Sequence, residues 1–349
     1  MRLRAAPYAQ GSILVVTLWL VLTLAMVAVA LGTYLSTEAR LMRVRVARAQ
    51  AQAWARAGVY LGLEQLASDL ASSPDSSDWL GERWARAPQS SDRSTPWTVS
   101  LPLEGGGAAF VGSVSVTISD EDRKFPVNRI EDPAMGRLVT ALANDARLAD
   151  LIADYADADD IPRPQGLETQ EAPAWYRAKN APVVVLEELR QIPGFTDEHD
   201  ALLRQYASPF LPATSTINLN TADPELLRAF FAVADQPALA EQVVAYRWDP
   251  ADGTSPDEGN HLVQLRPEVR TRGAPLDPGV QDALARVMTG PLGGWLGVQS
   301  STFRMAVTAN ITTPPVRYQV VAVVRRAGGA AAALQVGGVS FQIVCWQEG

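Results

Sequence analysis

Sulfur and imidazole are almost absent from this chain. Its 349 residues hold one cysteine, Cys345, and two histidines, His199 and His261. A single thiol excludes an intramolecular disulfide framework and any multi-cysteine metal centre, and two imidazoles leave little for zinc or iron. Positive charge is also in deficit: 30 Lys and Arg stand against 38 Asp and Glu, giving a net charge of −8. A general nucleic-acid binder leans basic, so no nucleic-acid partner is expected. The sequence has no Gly-x-Ser-x-Gly, no His-Glu-x-x-His and no P-loop, and no enzymatic activity is expected from it. His199, among Asp197, Glu198 and Asp200, reads as a solvated surface residue, and His261 as part of a Gly-Asn loop without an obvious partner. Cys345 falls on an expected strand and reads as a buried inert thiol. What the chain does have is apolar material, 47% of its residues, enough for a packed core.

Charge is missing in one place above all. From Ile13 to Leu35 there is no charged residue, and a bilayer span needs about 20 apolar residues. The run is longer than a signal-peptide core and no clean cleavage site follows it, so it reads as an anchor. From Glu38 to Leu70 there is no proline and no glycine pair, and Leu41, Val44, Ala47, Gln50 or Ala51, Trp54, Ala57 or Gly58 and Leu61 recur at three- and four-residue steps, with Leu66 beyond. The spacing predicts one rod of roughly 55 residues, half in lipid and half outside, ending at Ser72-Ser73-Pro74. Leu41, Val44, Trp54 and Leu61 are candidates for contacts with neighbouring helices, although the same stripe can bury against the protein's own sheet. The basic residues are Arg2 and Arg4 before the span and Arg40, Arg43, Arg45 and Arg48 after it. Positive-inside counting alone would place the large domain in the cytoplasm.

Strand-like stretches are expected at Trp97–Leu103 and Phe110–Ser119, joined through Gly105-Gly106-Gly107, and again at Arg304–Ala309, Arg317–Arg325 and Val339–Trp346, with Gly328-Gly329 as a turn. Between them lies a helical region, with amphipathic stretches at Leu138–Leu151 and Leu186–Ile192. Strands before and after helices predict an α+β domain carrying a helical insertion, its antiparallel sheet packed on the soluble half of the N-terminal helix. Asp154, Asp157, Asp159 and Asp160 with Glu168 offer oxygen ligands to a hard cation, or simply cap and solvate a helix end. The loop of Asp249, Asp252, Asp257, Glu258 and Asn260 has similar standing. Asn218 and Asn220 are expected to fix a turn through side-chain to backbone bonds, with Thr221 capping the helix that follows.

The leader with Arg2 and Arg4, then Gly11, then a long apolar helix running into an amphipathic half, resembles a type IV pilin-type N-terminus. That resemblance implies cleavage by a prepilin peptidase after Gly11 and methylation of Ser12. Most members carry Glu at the fifth mature position, where this chain has Val16. The departure is similar to that of the K-class minor pseudopilin of type II secretion, which caps the pseudopilus tip. Asp120-Glu121 through Lys124 to Asn128, Asp154 through Asp160 with Gly166, Glu168 and Tyr176, then Asn180-Ala-Pro182, Leu186 to Leu189, Ile192-Pro-Gly194 and Ile217 to Ala222 follow the order of that class. Pro126 stands where the class usually has its first Asn.

The resemblance implies a type IV pilin-like α+β fold with a large helical, SAM-like or helix-hairpin-helix-like insertion. Its divisions are a leader at 1–11, a transmembrane half-helix at 12–35, and a soluble half-helix at 36–71. The first part of the pilin-like domain would be 72–125, the helical insertion 126–212, a helix-hairpin-helix-like segment with loops 213–300, and the last strands 301–349. It implies an inner-membrane, single-pass subunit with its C-terminal domain in the periplasm. It also implies partnership with the I- and J-class minor pseudopilins and other pseudopilus subunits, and a structural calcium as the one cofactor to expect. Two other readings are a DNA-uptake protein using a helix-hairpin-helix module, whose hairpin glycines are missing at Ala232–Pro237, and a single-pass protein with a cytoplasmic acidic domain.

Overall fold

A computed structural model describes residues 10–72, 75–85, 101–105, 110–129, 132–170, 172–247, 259–326 and 334–349, with the backbone alone at 10–12, 101–105 and 110. The leader residues 1–9, the expected strand residues Trp97 to Ser100, Gly106-Gly107, the acidic loop residues Asp249 to Glu258 and Gly328-Gly329 lie outside the described residues.

The N-terminal rod is one helix, α1 (Gln10–Ser72). Strands β1 (Leu101–Gly105), β2 (Phe110–Asp120) and β3 (Phe125–Pro126) lead into α2 (Pro133–Ala143), α3 (Ala146–Ala156), a 3-10 turn at Leu186–Gln191 and α4 (Asp197–Tyr206). Then come β4 (Ala207–Ser208), β5 (Ile217–Asn218), α5 (Pro224–Val233), α6 (Pro237–Tyr246), β6 (His261–Gln264), β7 (Arg270–Arg272), α7 (Pro278–Thr289) and β8 (Leu296–Gly297). The chain closes with β9 (Thr302–Ile311), β10 (Val316–Arg326), β11 (Leu334–Val336) and β12 (Val339–Glu348). The helical body is thus inserted between β2 and β9, which are neighbours in one antiparallel sheet ordered β1-β2-β9-β10-β12-β11.

The sheet forms because its strands alternate. Val114, Val116 and Ile118 of β2, Phe303, Met305, Val307, Ala309 and Ile311 of β9, and Tyr318, Val320, Ala322 and Val324 of β10 face inward and are buried. Opposite them lie Ala47, Ala51, Trp54, Ala55, Val59, Leu63, Leu66 and Ala67 of α1, spaced at three and four residues. Small residues on that stripe bring the helix close, and the Trp54 ring lies over Gly112, where a Cβ would stand 2.5 Å from it. Glu348 at the chain's end fastens the same face. Its carboxylate accepts from Gln52 Nε2 (2.9 Å), Arg56 Nε (2.8 Å), Tyr318 OH (2.6 Å) and Trp346 Nε1 (2.7 Å), and Arg56 above all holds it far below the usual carboxylate range.

A second core joins buried residues from Phe125 to Val298, including Tyr155, Tyr176, Phe230, Phe231 and Trp295. Three of its helices start alike: Asp132-Pro133, Asp223-Pro224 and Asp277-Pro278 each place a carboxylate at the N-cap and proline in the first turn, where its missing N–H costs nothing. The stretch Leu138–Leu151 is not one helix. Asn144 takes a left-handed conformation (φ 51°) that ends α2, and Asp145 caps α3 by accepting from Arg147 N. The stretch Leu186–Ile192 is 3-10 rather than α.

Candidate functional site

Three regions bear on function, and the first is α1. Residues 13–46 project from the folded body with their side chains exposed or, at Glu38, half exposed, and this is the one helix among the described residues long and apolar enough to cross a membrane. Val16, Leu41 and Val44 are all exposed, Leu61 is half-buried, and Trp54 is buried against the protein's own sheet. Of the proposed contact residues, Trp54 is therefore occupied internally, whereas Leu41 and Val44 are open to a neighbour. Met42, Val46 and Tyr60, each more than half exposed, lie on the opposite side of the helix, the face turned away from the sheet. They lie off the three-and-four-residue stripe, so the stripe alone does not pick them out. Gly11 and Ser12 lie in the first turns of α1, where the structure gives backbone only.

The second region is the joint between the sheet and the helical body. Asp120 is the next inward position of β2 after Ile118, so strand alternation drives a carboxylate into the interior. Its Oδ2 accepts from Thr221 Oγ1 and from Ser300 Oγ (2.6 Å), and its Oδ1 from Asp122 N (2.8 Å). Asp122 Oδ2 accepts from Ser301 N (2.8 Å) and Thr302 N (2.7 Å). Asp78 accepts from Ser300 N (2.7 Å) and pairs with Arg326 at 2.7 Å. Burial is the leading cause that pushes the carboxyls of Asp78, Asp120 and Asp122 above their ordinary range. Asn218 and Asn220 complete the joint. Asn218 Oδ1 accepts from Asn220 N (2.9 Å) and Asn218 Nδ2 donates to Asp78 O (3.0 Å) and Ser300 Oγ (2.7 Å). Asn220 exchanges two bonds with Leu262, accepting from its N–H and donating to its carbonyl.

Asn218 and Asn220 thus fix a turn as expected, and also bind three distant segments. Thr221 does not cap a helix: its hydroxyl serves Asp120, and Asp223 caps α5 by accepting from Glu225 N. The segment α5–α6 does form a helical hairpin, with Asp235 in a left-handed conformation (φ 57°) at its turn. That places a carboxylate at the turn, which opposes a phosphate contact there.

The third region is the acidic loop after α3. One carboxylate oxygen from each of Asp157, Asp159 and Glu168 lies within 4.8 Å of the others. Asp154 lies beside this trio and accepts from Arg163 N (3.1 Å), while Arg163 Nη2 pairs with Asp157 Oδ2 at 3.2 Å; Asp160 accepts from Asn180 Nδ2 (3.1 Å). Glu168 is fully buried, and neither of its carboxylate oxygens has a hydrogen-bond partner. Burial, followed by the nearby Asp154, raises its pKa to about 7. A second acidic group, Asp69, Asp78 and Glu82, has oxygens within 4.8 Å of one another, with Arg326 standing beside it as its cation. Its members are Asp69 near the end of α1 and Asp78 and Glu82 from the loop that follows, and only the folding of that loop back against Arg326 of β10 brings them together.

The sulfur and imidazole groups lie elsewhere. Cys345 is half-exposed rather than buried, since β12 is paired on its β11 side only from Val339 to Phe341. His199 is not simply solvated: it completes a capping box with Thr196 and faces Asp145 at 3.3 Å. His261 lies buried on β6, stacked on Trp79 with ring centroids 4.3 Å apart.

A family model described as "Type II secretion system (T2SS), protein K" matches residues 116–210, from the middle of β2 to just past β4. No match was found among curated proteins. Among solved structures, the chain is similar to one in the GspK-GspI-GspJ complex from the type 2 secretion system of enterotoxigenic Escherichia coli. The two share 19% identity and a TM-score of 0.58, over 88% of this chain and 99% of that one. At that identity the likeness speaks for the fold: a long apolar helix on an antiparallel sheet, interrupted by a helical body. The resemblance of this sequence to the K-class minor pseudopilins of type II secretion is therefore borne out, by the family model across residues 116–210 and by the shared fold along most of the chain.

Proposed function

We propose that this chain is a non-enzymatic minor pseudopilin that sits at the tip of a type II secretion pseudopilus and initiates its assembly with I- and J-class partners. The observation that carries this reading is the helical body inserted between β2 and β9, whose first part, through α4 and β4, matches the protein K model. A body of that size on one end of the sheet would block a further subunit from stacking above it. Val16 agrees with a tip position. A subunit with no neighbour above it has no buried terminal amine to neutralise, so the usual Glu is dispensable there. The helix α1 would anchor the chain in the inner membrane with the folded body in the periplasm.

Co-expression with a prepilin peptidase, followed by mass spectrometry of the N-terminus, tests this directly. The expected product begins at N-methylated Ser12. An intact chain, in cells where a control pilin is cleaved, would remove the pilin-type assignment and return the arginine count to force.

We further propose that the acidic loop holds a structural calcium through Asp157, Asp159 and Glu168. The two partnerless buried oxygens of Glu168 support it, since a hard cation supplies what no neighbouring donor does. Calcium should raise the thermal midpoint of the purified full chain over that in EDTA, by several degrees. At a hundredfold excess over Kd the stabilisation is about 2.7 kcal/mol. In Glu168→Gln the difference between calcium and EDTA should disappear. Identical midpoints for the parent chain in calcium and EDTA would rule the site out.

A further inference from the structure

Arg40, Arg43, Arg45 and Arg48 lie just beyond the apolar span, and all four are exposed. Among the described residues, the ion pairs of α1 are Arg56 with Glu348 and Asp69 with Arg326, and none involves these four. In a chain of net charge −8 this leaves a concentrated positive segment in which Glu38 is the one acid and makes no ion pair with the four arginines among the described residues. At about 1.5 Å per residue, the four Cα positions fall roughly 8 to 20 Å past Leu35 along the helix axis. A headgroup layer is about 5–8 Å deep, so Arg40 and Arg43 come within side-chain reach of the leaflet facing the folded body, while Arg45 and Arg48 stand just outside it, within roughly a Debye length of its surface.

The four are not a stripe. At roughly 100° per residue they cover about 200° of the helix circumference, including the side that further along packs on the sheet. A neighbouring protein would meet one face of the helix; a collar meets a surface that surrounds it. We infer that Arg40, Arg43, Arg45 and Arg48 form a basic collar that draws anionic phospholipids to the leaflet on the side of the folded body, Arg40 and Arg43 meeting the headgroup phosphates and Arg45 and Arg48 adding their field from just outside. The collar holds the anchored subunit at a set depth, and its charge accounts for arginines that the positive-inside rule leaves on the wrong side. The inference rests on α1 spanning the bilayer; its account of the positive-inside conflict rests in addition on the folded body lying in the periplasm, as proposed above.

The test reconstitutes the full chain in phosphatidylcholine vesicles with a small fraction of spin-labelled phosphatidylglycerol or spin-labelled phosphatidylcholine. Resistance to carbonate extraction first establishes that the span is inserted. Electron spin resonance then reads the motionally restricted fraction of each lipid. The expected result is a preference of at least fivefold for phosphatidylglycerol, weakened by high salt and lost in the quadruple variant Arg40→Gln, Arg43→Gln, Arg45→Gln, Arg48→Gln. Equal restriction of both lipids by the parent chain overturns the collar, as does a preference that survives in the variant. A variant that keeps lipid selectivity but no longer co-purifies with partner pseudopilins would reassign the arginines to subunit docking.

Discussion

Asn218→Ala is expected to lower the unfolding free energy of the full chain by about 3 kcal/mol, and Asn218→Asp by more. Asn218 has no solvent exposure and ties together Asp78, Ser300 and Asn220. Removing its amide orphans chiefly the Asn220 N–H. The Asp78 carbonyl keeps a bond from Asn220 Nδ2 at 3.3 Å, and Ser300 keeps its bond to Asp120. One orphaned buried donor costs about 1–3 kcal/mol, and each further lost bond about 1 kcal/mol. Aspartate keeps the shape and reverses the chemistry. It turns an acceptor toward the Asp78 carbonyl and brings a new charge to within 3.5 Å of Asp120 Oδ2, in a joint that already holds three carboxylates. Urea denaturation of the detergent-solubilised chain, followed by tryptophan fluorescence, should rank the midpoints parent, alanine, aspartate. An aspartate variant at or above alanine would show that the joint tolerates charge.

The long helix, the sheet and the insertion were legible because each announces itself locally. A charge-free run, an uninterrupted three-and-four-residue stripe and alternating valines are all short-range patterns. The joint was not legible. Asp120 and Asn218 are 98 residues apart, and each alone looks like an ordinary loop residue until the fold buries it. Asp223 outcompeted Thr221 as the cap because Pro224 fixes the first turn directly after it, a signal present in the sequence but read one motif too early. The same lapse fused α2 with α3, where Asn144 and Asp145 together spell a stop and a start. In the acidic loop the residue types were legible and the grouping was not. Which carboxylates converge depended on tertiary partners: Arg163 pairs with Asp154 and Asp157 together, and Asn180 holds Asp160.

The distance between α1 and the sheet should be set by Gly58, and Gly58→Leu is expected to cost about 3 kcal/mol or more. A Cβ there would stand 2.6 Å from Val307 Cγ1 and 2.9 Å from Val114 Cγ1. Both valines are buried on adjacent paired strands, β9 and β2, so neither can retreat without moving the sheet. Even Gly58→Ala should be destabilising, although alanine gains about 1 kcal/mol over glycine in a helix interior. Gly62, one turn on, provides the contrast. Its nearest neighbour is the Met305 sulfur at 2.8 Å, part of a buried but unbranched side chain that adapts more readily than two valines, so Gly62→Ala should cost less than Gly58→Ala. A double-mutant cycle separates contact from propensity. Val307→Ala, which costs stability alone by leaving a cavity, should cost markedly less in the Gly58→Ala background. Strictly additive losses would mean that Val307 does not limit the approach. A helix forced outward would also carry the span away from the bonds of Gln52 and Arg56 to Glu348, so the Gly58→Leu chain should present its folded body at a changed angle to the membrane.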